Sequence, residues 1–220
     1  GSGVPTGFSS NFPSLISVIA DAASVSGRCV QIADPGNGED VVTFLWDLLG
    51  DLDDAEIYVV MRHSNWDVID PNFAGRIRQG VVAKASGPTT MYQALSQDGT
   101  AGVYTFTSIT RHSGSLVSGT ALIPEMYPVL GMTRPYLTGL ESPQHIHFRV
   151  EGGQLMMRSI PKGLTADFDH PEWWAIPTDG DPLAAGKWGV TIRNSYDPGA
   201  GWIGGTHYLD YISVGTDGDD

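Results

Sequence analysis

Gln144-His145-Ile146-His147-Phe148-Arg149-Val150, then Glu151-Gly152-Gly153, then Gln154-Leu155-Met156-Met157-Arg158-Ser159-Ile160: this stretch decides the fold. It reads as two alternating strands joined by a tight glycine turn, the pattern of a β-hairpin with one buried face. Downstream of the hairpin the chain keeps the same grammar. A Pro/Trp segment, His170-Pro171-Glu172-Trp173-Trp174, and an acidic turn, Asp179-Gly180-Asp181-Pro182, lead into a strand at Gly186-Lys187-Trp188-Gly189-Val190. The chain then closes on a last alternating strand, His207-Tyr208-Leu209-Asp210-Tyr211-Ile212-Ser213-Val214.

Upstream of the hairpin the same punctuation recurs. Strands are expected at Cys29–Ala33, Val41–Trp46, Glu56–Arg62, Phe73–Ser86, Met91–Ser96, Gly102–Arg111 and Ser115–Leu122, with turns at Pro35–Gly38, Asp51–Asp54, Gln97–Gly99 and His112–Gly114. Turn signals every 8 to 12 residues mark a sandwich or barrel. Leu15–Ala23 is too short for periodicity to choose between helix and strand. Gly1–Ser14, rich in Gly, Ser and Pro with Phe8 and Phe12 as its large residues, reads as a flexible N-terminal arm, leaving residues 15–220 as one β-sandwich domain. Two segments, Ile123–Pro143 and Lys162–Ala185, read as irregular rim loops, where binding residues usually sit.

The order of elements from Gln144 to Gly215 resembles the C-terminal half of concanavalin A-like, laminin-G-like jelly rolls. In that group a comparable hairpin is followed by a Pro-x-x-Trp loop, a Gly-x-x-Gly-Val strand and a final Asp-Tyr-Ile-Ser-Val-Gly strand. The resemblance implies an all-β jelly-roll sandwich. Such domains recur in phage and prophage virion proteins and in bacterial surface proteins as carbohydrate-binding modules, and they often hold a structural calcium ion. The expectation is therefore a non-enzymatic virion protein, a fibre, spike or tail recognition module that binds host surface carbohydrate. The alternatives are a purely structural virion component, such as a capsid decoration or tail-tip protein, and a polysaccharide lyase or glycoside hydrolase.

Composition trims the list. With 25 acidic against 12 basic residues the formal charge is −13, which repels nucleic acid and anionic membranes. A single cysteine, Cys29, excludes an intramolecular disulfide and reads as an inert buried residue. No apolar run reaches the roughly 18 residues of a membrane helix, and no basic leader precedes Pro13. Expected partners are thus host polysaccharide, other virion subunits through residues 1–14, and further copies of the chain. The expected location is the particle surface after assembly in the bacterial cytoplasm, or the bacterial exterior.

Sugar rings stack their axial C–H bonds on aromatic faces, and their hydroxyls need planar polar partners nearby. On that chemistry the candidate carbohydrate-binding residues are Trp66 with Asp67, Tyr136, Trp173, Trp174 and Trp202, all expected in loops. Trp46 and Trp188 sit between apolar neighbours and are expected in the core. The acidic turns Asp51–Asp54, Asp179–Asp181 and Asp217–Asp220 could supply calcium oxygens but read as solvated turns. His145 and His147 alternate on one strand and so share a face about 7 Å apart, without a third ligand at a recognisable interval. Retaining glycosidases set two carboxylates roughly 5 Å apart; the nearest approach here, Glu39-Asp40, faces opposite ways in a turn. No catalytic residue is expected, and no metal ligand is assigned.

Overall fold

In the computed structural model the described residues are 3–24, 26–36, 41–64, 76–98, 105–116, 119–126, 144–161, 177–197, 201–203 and 205–216. Fourteen strands are described: β1 Phe8–Ser10, β2 Ile16–Ala20, β3 Arg28–Ala33, β4 Val41–Trp46, β5 Ala55–His63, β6 Arg76–Ala85, β7 Thr90–Asp98, β8 Thr105–Ser113, β9 Thr120–Met126, β10 Gln144–Glu151, β11 Gln154–Pro161, β12 Lys187–Asp197, β13 Gly201–Ile203 and β14 Thr206–Gly215. They build two antiparallel sheets. One runs β1-β4-β12-β6-β7-β8-β9, with β13 paired to β12, and the other runs β11-β10-β5-β14-β3-β2. The all-β jelly-roll sandwich that the resemblance implies is the fold observed.

Alternation explains why the sheets face each other. β5 buries Ala55, Ile57, Val59 and Met61, and β10 buries Ile146, Phe148 and Val150, while the residues between them point away from the core. Their apolar faces meet Phe44, Val81, Tyr92, Ile109, Trp188, Val190 and Ile192 of the other sheet in one cluster. The β10–β11 turn is made by Gly152 and Gly153, with φ of +53° and +81°. Two consecutive positive φ values are what a two-residue turn of the right twist needs, and glycine meets that demand without strain. Glycine is also demanded at position 189, where an added Cβ would lie 2.1 Å from the Phe44 carbonyl oxygen on the neighbouring strand.

Several expectations change. Leu15–Ala23 resolves into a short 3-10 turn, Pro13–Leu15, followed by strand β2. Within the expected arm, Phe8–Ser10 forms edge strand β1, and Phe8 stacks on Phe44 and Trp46 at centroid distances of 4.6 and 5.3 Å. Trp46 is therefore half-buried under the edge strand instead of lying in the core, whereas Trp188 is fully buried. The strand expected over Ser115–Leu122 begins later, at Thr120, and continues to Met126. No helix among the described residues is long and apolar enough to cross a membrane.

The acidic turns are mostly bound by protein cations and backbone donors. Asp53 contacts the buried Lys84 ammonium, and Asp54 accepts the Gly152 N–H at 3.1 Å. Asp179 accepts the Tyr92 hydroxyl at 2.7 Å and the Arg111 guanidinium at 3.3 Å. Asp181 accepts Arg111 at 3.1 Å. Asp217–Asp220 and Glu39-Asp40 lie outside the described residues.

Candidate carbohydrate-binding face

On the outward face of the six-stranded sheet, β11, β10, β5 and β14 lie side by side. Their pairing sets up cross-strand rows: Arg158, His147, Tyr58 and Ser213 in one; Ile160, His145, Val60 and Tyr211 in the next; Met156, Arg149, Glu56 and Gly215 in a third. Residues opposite one another on one face are in side-chain contact range, so the register alone gathers two tyrosines, two histidines, two arginines and a carboxylate.

Tyr211 is the most exposed aromatic of this face among the described residues, with 51% of its surface accessible. Its ring lies 5.7 Å from that of Tyr58, tilted by 55°. Tyr58 stacks on His145 at 5.9 Å and meets the edge of His147 at 6.3 Å. The Tyr58 hydroxyl contacts His145 Nδ1, and burial holds its pKa above the usual phenol range. Arg158 is buried and directs Nε and Nη2 to His147 Nδ1 at 3.3 and 3.2 Å. A guanidinium cannot accept a hydrogen bond, so Nδ1 holds the lone pair. The proton of the neutral ring is on Nε2, which donates to Glu56 Oε2 at 3.2 Å.

Beyond Glu56 the face runs into a polar cleft of about 230 Å³ lined by Asp54, Glu56, Arg149, Glu151 and Thr216. Arg149 pairs with Glu151 at 3.0 Å. Gly215 opposite Glu56 leaves the approach open, since even an added Cβ would stay 3.9 Å from the glutamate. From Tyr211 to Gly215, at about 3.4 Å per strand residue, this strip is roughly 14 Å long.

At the other end of the same face Arg62 makes a fork to Asp210, Nε to Oδ2 at 2.5 Å and Nη2 to Oδ1 at 2.6 Å, and also reaches Asp21 at 2.6 Å. This guanidinium holds the Asp21 carboxyl below the usual range. Cys29 next to it is buried, and desolvation pushes its thiol up to about 12, in keeping with the inert role expected from sequence.

Trp66, Asp67, Tyr136, Trp173 and Trp174 lie outside the described residues. Trp202, expected in a loop, lies in strand β13 opposite Tyr196. His145 and His147 do share a face, as their alternation implies. Tyr211, Tyr58 and Glu56 are not among the candidates that the sequence singles out. A signal for Tyr58 and Glu56 exists in the alternation of β5; none exists for Tyr211.

No protein-family model matches the chain, and no curated protein matches it. Solved structures do. The exoplasmic/lumenal domain of VIP36 in a Ca²⁺- and Man2-bound form superposes with a TM-score of 0.53 at 12% identity, covering 100% of this chain and 86% of that one. The catalytic domain of an endo-1,3-β-glucanase from Thermotoga petrophila RKU-1 gives 0.50 at 9% identity, covering 90% and 82%. Botulinum neurotoxin type C gives 0.50 at 8% identity; 97% of this chain is covered, but it spans only 43% of the toxin chain. At these identities the likeness is one of fold, a jelly-roll sandwich found in both lectins and glycosidases.

Proposed function

We propose that this chain is a non-enzymatic carbohydrate-recognition module, with Tyr211 as the platform on which a sugar ring stacks. The observation that carries this reading is the exposed Tyr211 ring at the head of a strip of planar hydrogen-bonding groups: His147, Glu56 and Arg149. An aromatic face supplies dispersion and C–H contacts to a ring, and the carboxylate and guanidinium groups, with His147 holding Glu56 in place, suit its hydroxyls. The polar cleft beside Glu56 is smaller than the roughly 300–1,000 Å³ of drug-sized pockets, which suits a single polar ring. Support also comes from the fold likeness to VIP36, solved with bound mannose saccharide, and to botulinum neurotoxin type C, which interacts with two ganglioside molecules.

The setting we propose is a phage or phage-like particle, where the chain serves as a fibre, spike or tail component that meets host surface glycan. This rests on the resemblance of Gln144–Gly215 to virion jelly rolls. A homo-oligomer would suit the role, since weak sugar sites gain avidity when several engage together.

The test is a bacterial polysaccharide and glycan array probed with the purified protein, with and without calcium, with each hit checked for new reducing ends and unsaturated uronate. We expect binding without cleavage. Tyr211→Ala should lower affinity about tenfold, a loss of about 1.4 kcal/mol, while lowering the unfolding midpoint only slightly, because about half of the residue is exposed. Trp66→Ala and Trp173→Ala, run in parallel, separate the sheet face from the loops. Unchanged binding by Tyr211→Ala would remove the sheet face from the proposal. Cleavage would make the chain an enzyme, and a silent array would favour a structural virion part.

A further inference from the structure

A second cluster lies inside the sandwich and does not share the Tyr211 face. Asp34 follows β3, His63 is the last residue of β5, and His207 is near the start of β14. The side chains of His63 and His207 have no exposed surface, and that of Asp34 has 3%. One nitrogen from each histidine and one carboxylate oxygen lie within 4.8 Å of one another. His207 Nε2 is 3.0 Å from Asp34 Oδ1, and His63 Nε2 is 3.8 Å from Asp34 Oδ2. The two rings meet nearly edge to face, 4.4 Å apart. Around a tetrahedral zinc ion with bonds of about 2.0–2.2 Å, neighbouring donors stand roughly 3.3 Å apart. The two observed separations fall on either side of that value.

Hydrogen bonding sharpens the argument. Gln79 Nε2 donates to Gln144 Oε1 at 2.8 Å, which leaves Gln79 Oε1 facing His207 Nδ1 at 3.0 Å. A carbonyl oxygen only accepts, so Nδ1 carries a proton. The neutral ring would then present an Nε2 lone pair to a carboxylate oxygen that also only accepts, so a positive centre must sit between them. That centre is a second proton or a metal ion. A second proton on His207 would satisfy Oδ1 alone, because His63 Nε2, the group that faces the buried Oδ2, stands 3.8 Å away, beyond ordinary hydrogen-bond distance. An ion among the three groups engages the carboxylate and both rings together. The Nδ1–H to Gln79 bond is the outer contact that orients metal-bound imidazoles.

We propose that Asp34, His63 and His207 bind one divalent transition-metal ion of the zinc class. Two imidazoles and one carboxylate favour such an ion over calcium, which takes six to eight oxygens. Three protein ligands leave a further coordination position for water. The ion would clip together the ends of β3, β5 and β14, three adjacent strands of one sheet.

The test uses the purified protein stripped with a chelator and titrated with Co²⁺. One equivalent should bind with the visible absorption of a tetrahedral nitrogen/oxygen site and raise Tm, and Zn²⁺ should displace it. Asp34→Asn and His207→Gln should abolish the absorption. Gln79→Leu, which removes no ligand but takes away the contact to His207 Nδ1 together with the hydrogen bond to Gln144, should weaken binding about 10- to 100-fold. The wild-type titration decides even if a variant fails to fold. No absorption and no Tm change in the folded wild type at excess Co²⁺ overturns the proposal and makes Asp34 and His207 a plain ion pair. Wild-type affinity in folded Asp34→Asn and His207→Gln overturns it as well.

Discussion

His147 is held neutral in the folded protein by geometry. Arg158 occupies its Nδ1 lone pair, so binding a proton there requires the guanidinium to let go. Its pKa falls below the ordinary value of 6.5, with burial the largest cause; the Glu56 carboxylate opposes the shift and Arg158 adds to it. The unfolded chain therefore binds the proton first as pH falls. By linkage, the stability His147 contributes is complete above about 6.5 and is lost as pH drops through the folded value. Comparing wild type with His147→Gln by urea denaturation should show a stability difference that narrows from pH 7.5 to pH 5. A difference constant across that range would mean that His147 titrates alike in both states. The shared face of His145 and His147 is legible in the sequence, because a strand's alternation fixes it. Their partners are not, because Tyr58, Glu56 and Arg158 reach them only through register with two other strands.

Tyr211 shows the same limit at the scale of an element. Strict alternation along β14 puts His207, Leu209 and Tyr211 on one face, which would bury Tyr211. The pairing instead steps from Leu209 opposite Met61 to Tyr211 opposite Val60, so Asp210 is an extra residue and the parity flips. A bulge of this kind re-aims side chains and is invisible to a period-two reading. Its anchor is the Arg62 fork on Asp210, within a side-chain cluster in which Arg62 is 2% exposed and Asp210 7%. Asp210→Ala leaves the buried guanidinium with Asp21 as its remaining carboxylate. Breaking a buried pair costs about 3–5 kcal/mol, and with Asp21 retained we expect about 3 kcal/mol, together with weaker glycan binding as the bulge and Tyr211 lose their anchor. Urea denaturation with the array assay checks both. A loss under about 1 kcal/mol, within the range of exposed ion pairs, would show that backbone pairing alone fixes the bulge. The aromatics chosen from sequence share a loop position, a criterion blind to a strand residue turned outward by one inserted neighbour.

Across the whole molecule the last strand is a central one. β14 lies between β5 and β3, so it joins β3 and β2 to the rest of the six-stranded sheet. It also brings Leu209 to the core, packs Ile212 and Val214 against it, and supplies Asp210 to Arg62. Edge strand β1 contributes far less, pairing three residues with β4 and stacking one ring on Phe44. The two ends of the chain should therefore respond very differently to deletion. Ending the chain at Gly205 exposes two sheet edges, uncovers core residues and strands the buried Arg62. A domain's net stability is only about 5–15 kcal/mol, and losing a central strand with its core residues exceeds that. We expect the truncated chain to show no near-UV circular dichroism and no cooperative urea transition. Removal of residues 1–10 should leave a cooperative transition at a lower midpoint. Cooperative unfolding of the chain that stops at Gly205 would mean that the eight-stranded sheet folds by itself, with the six-stranded sheet added to it afterwards.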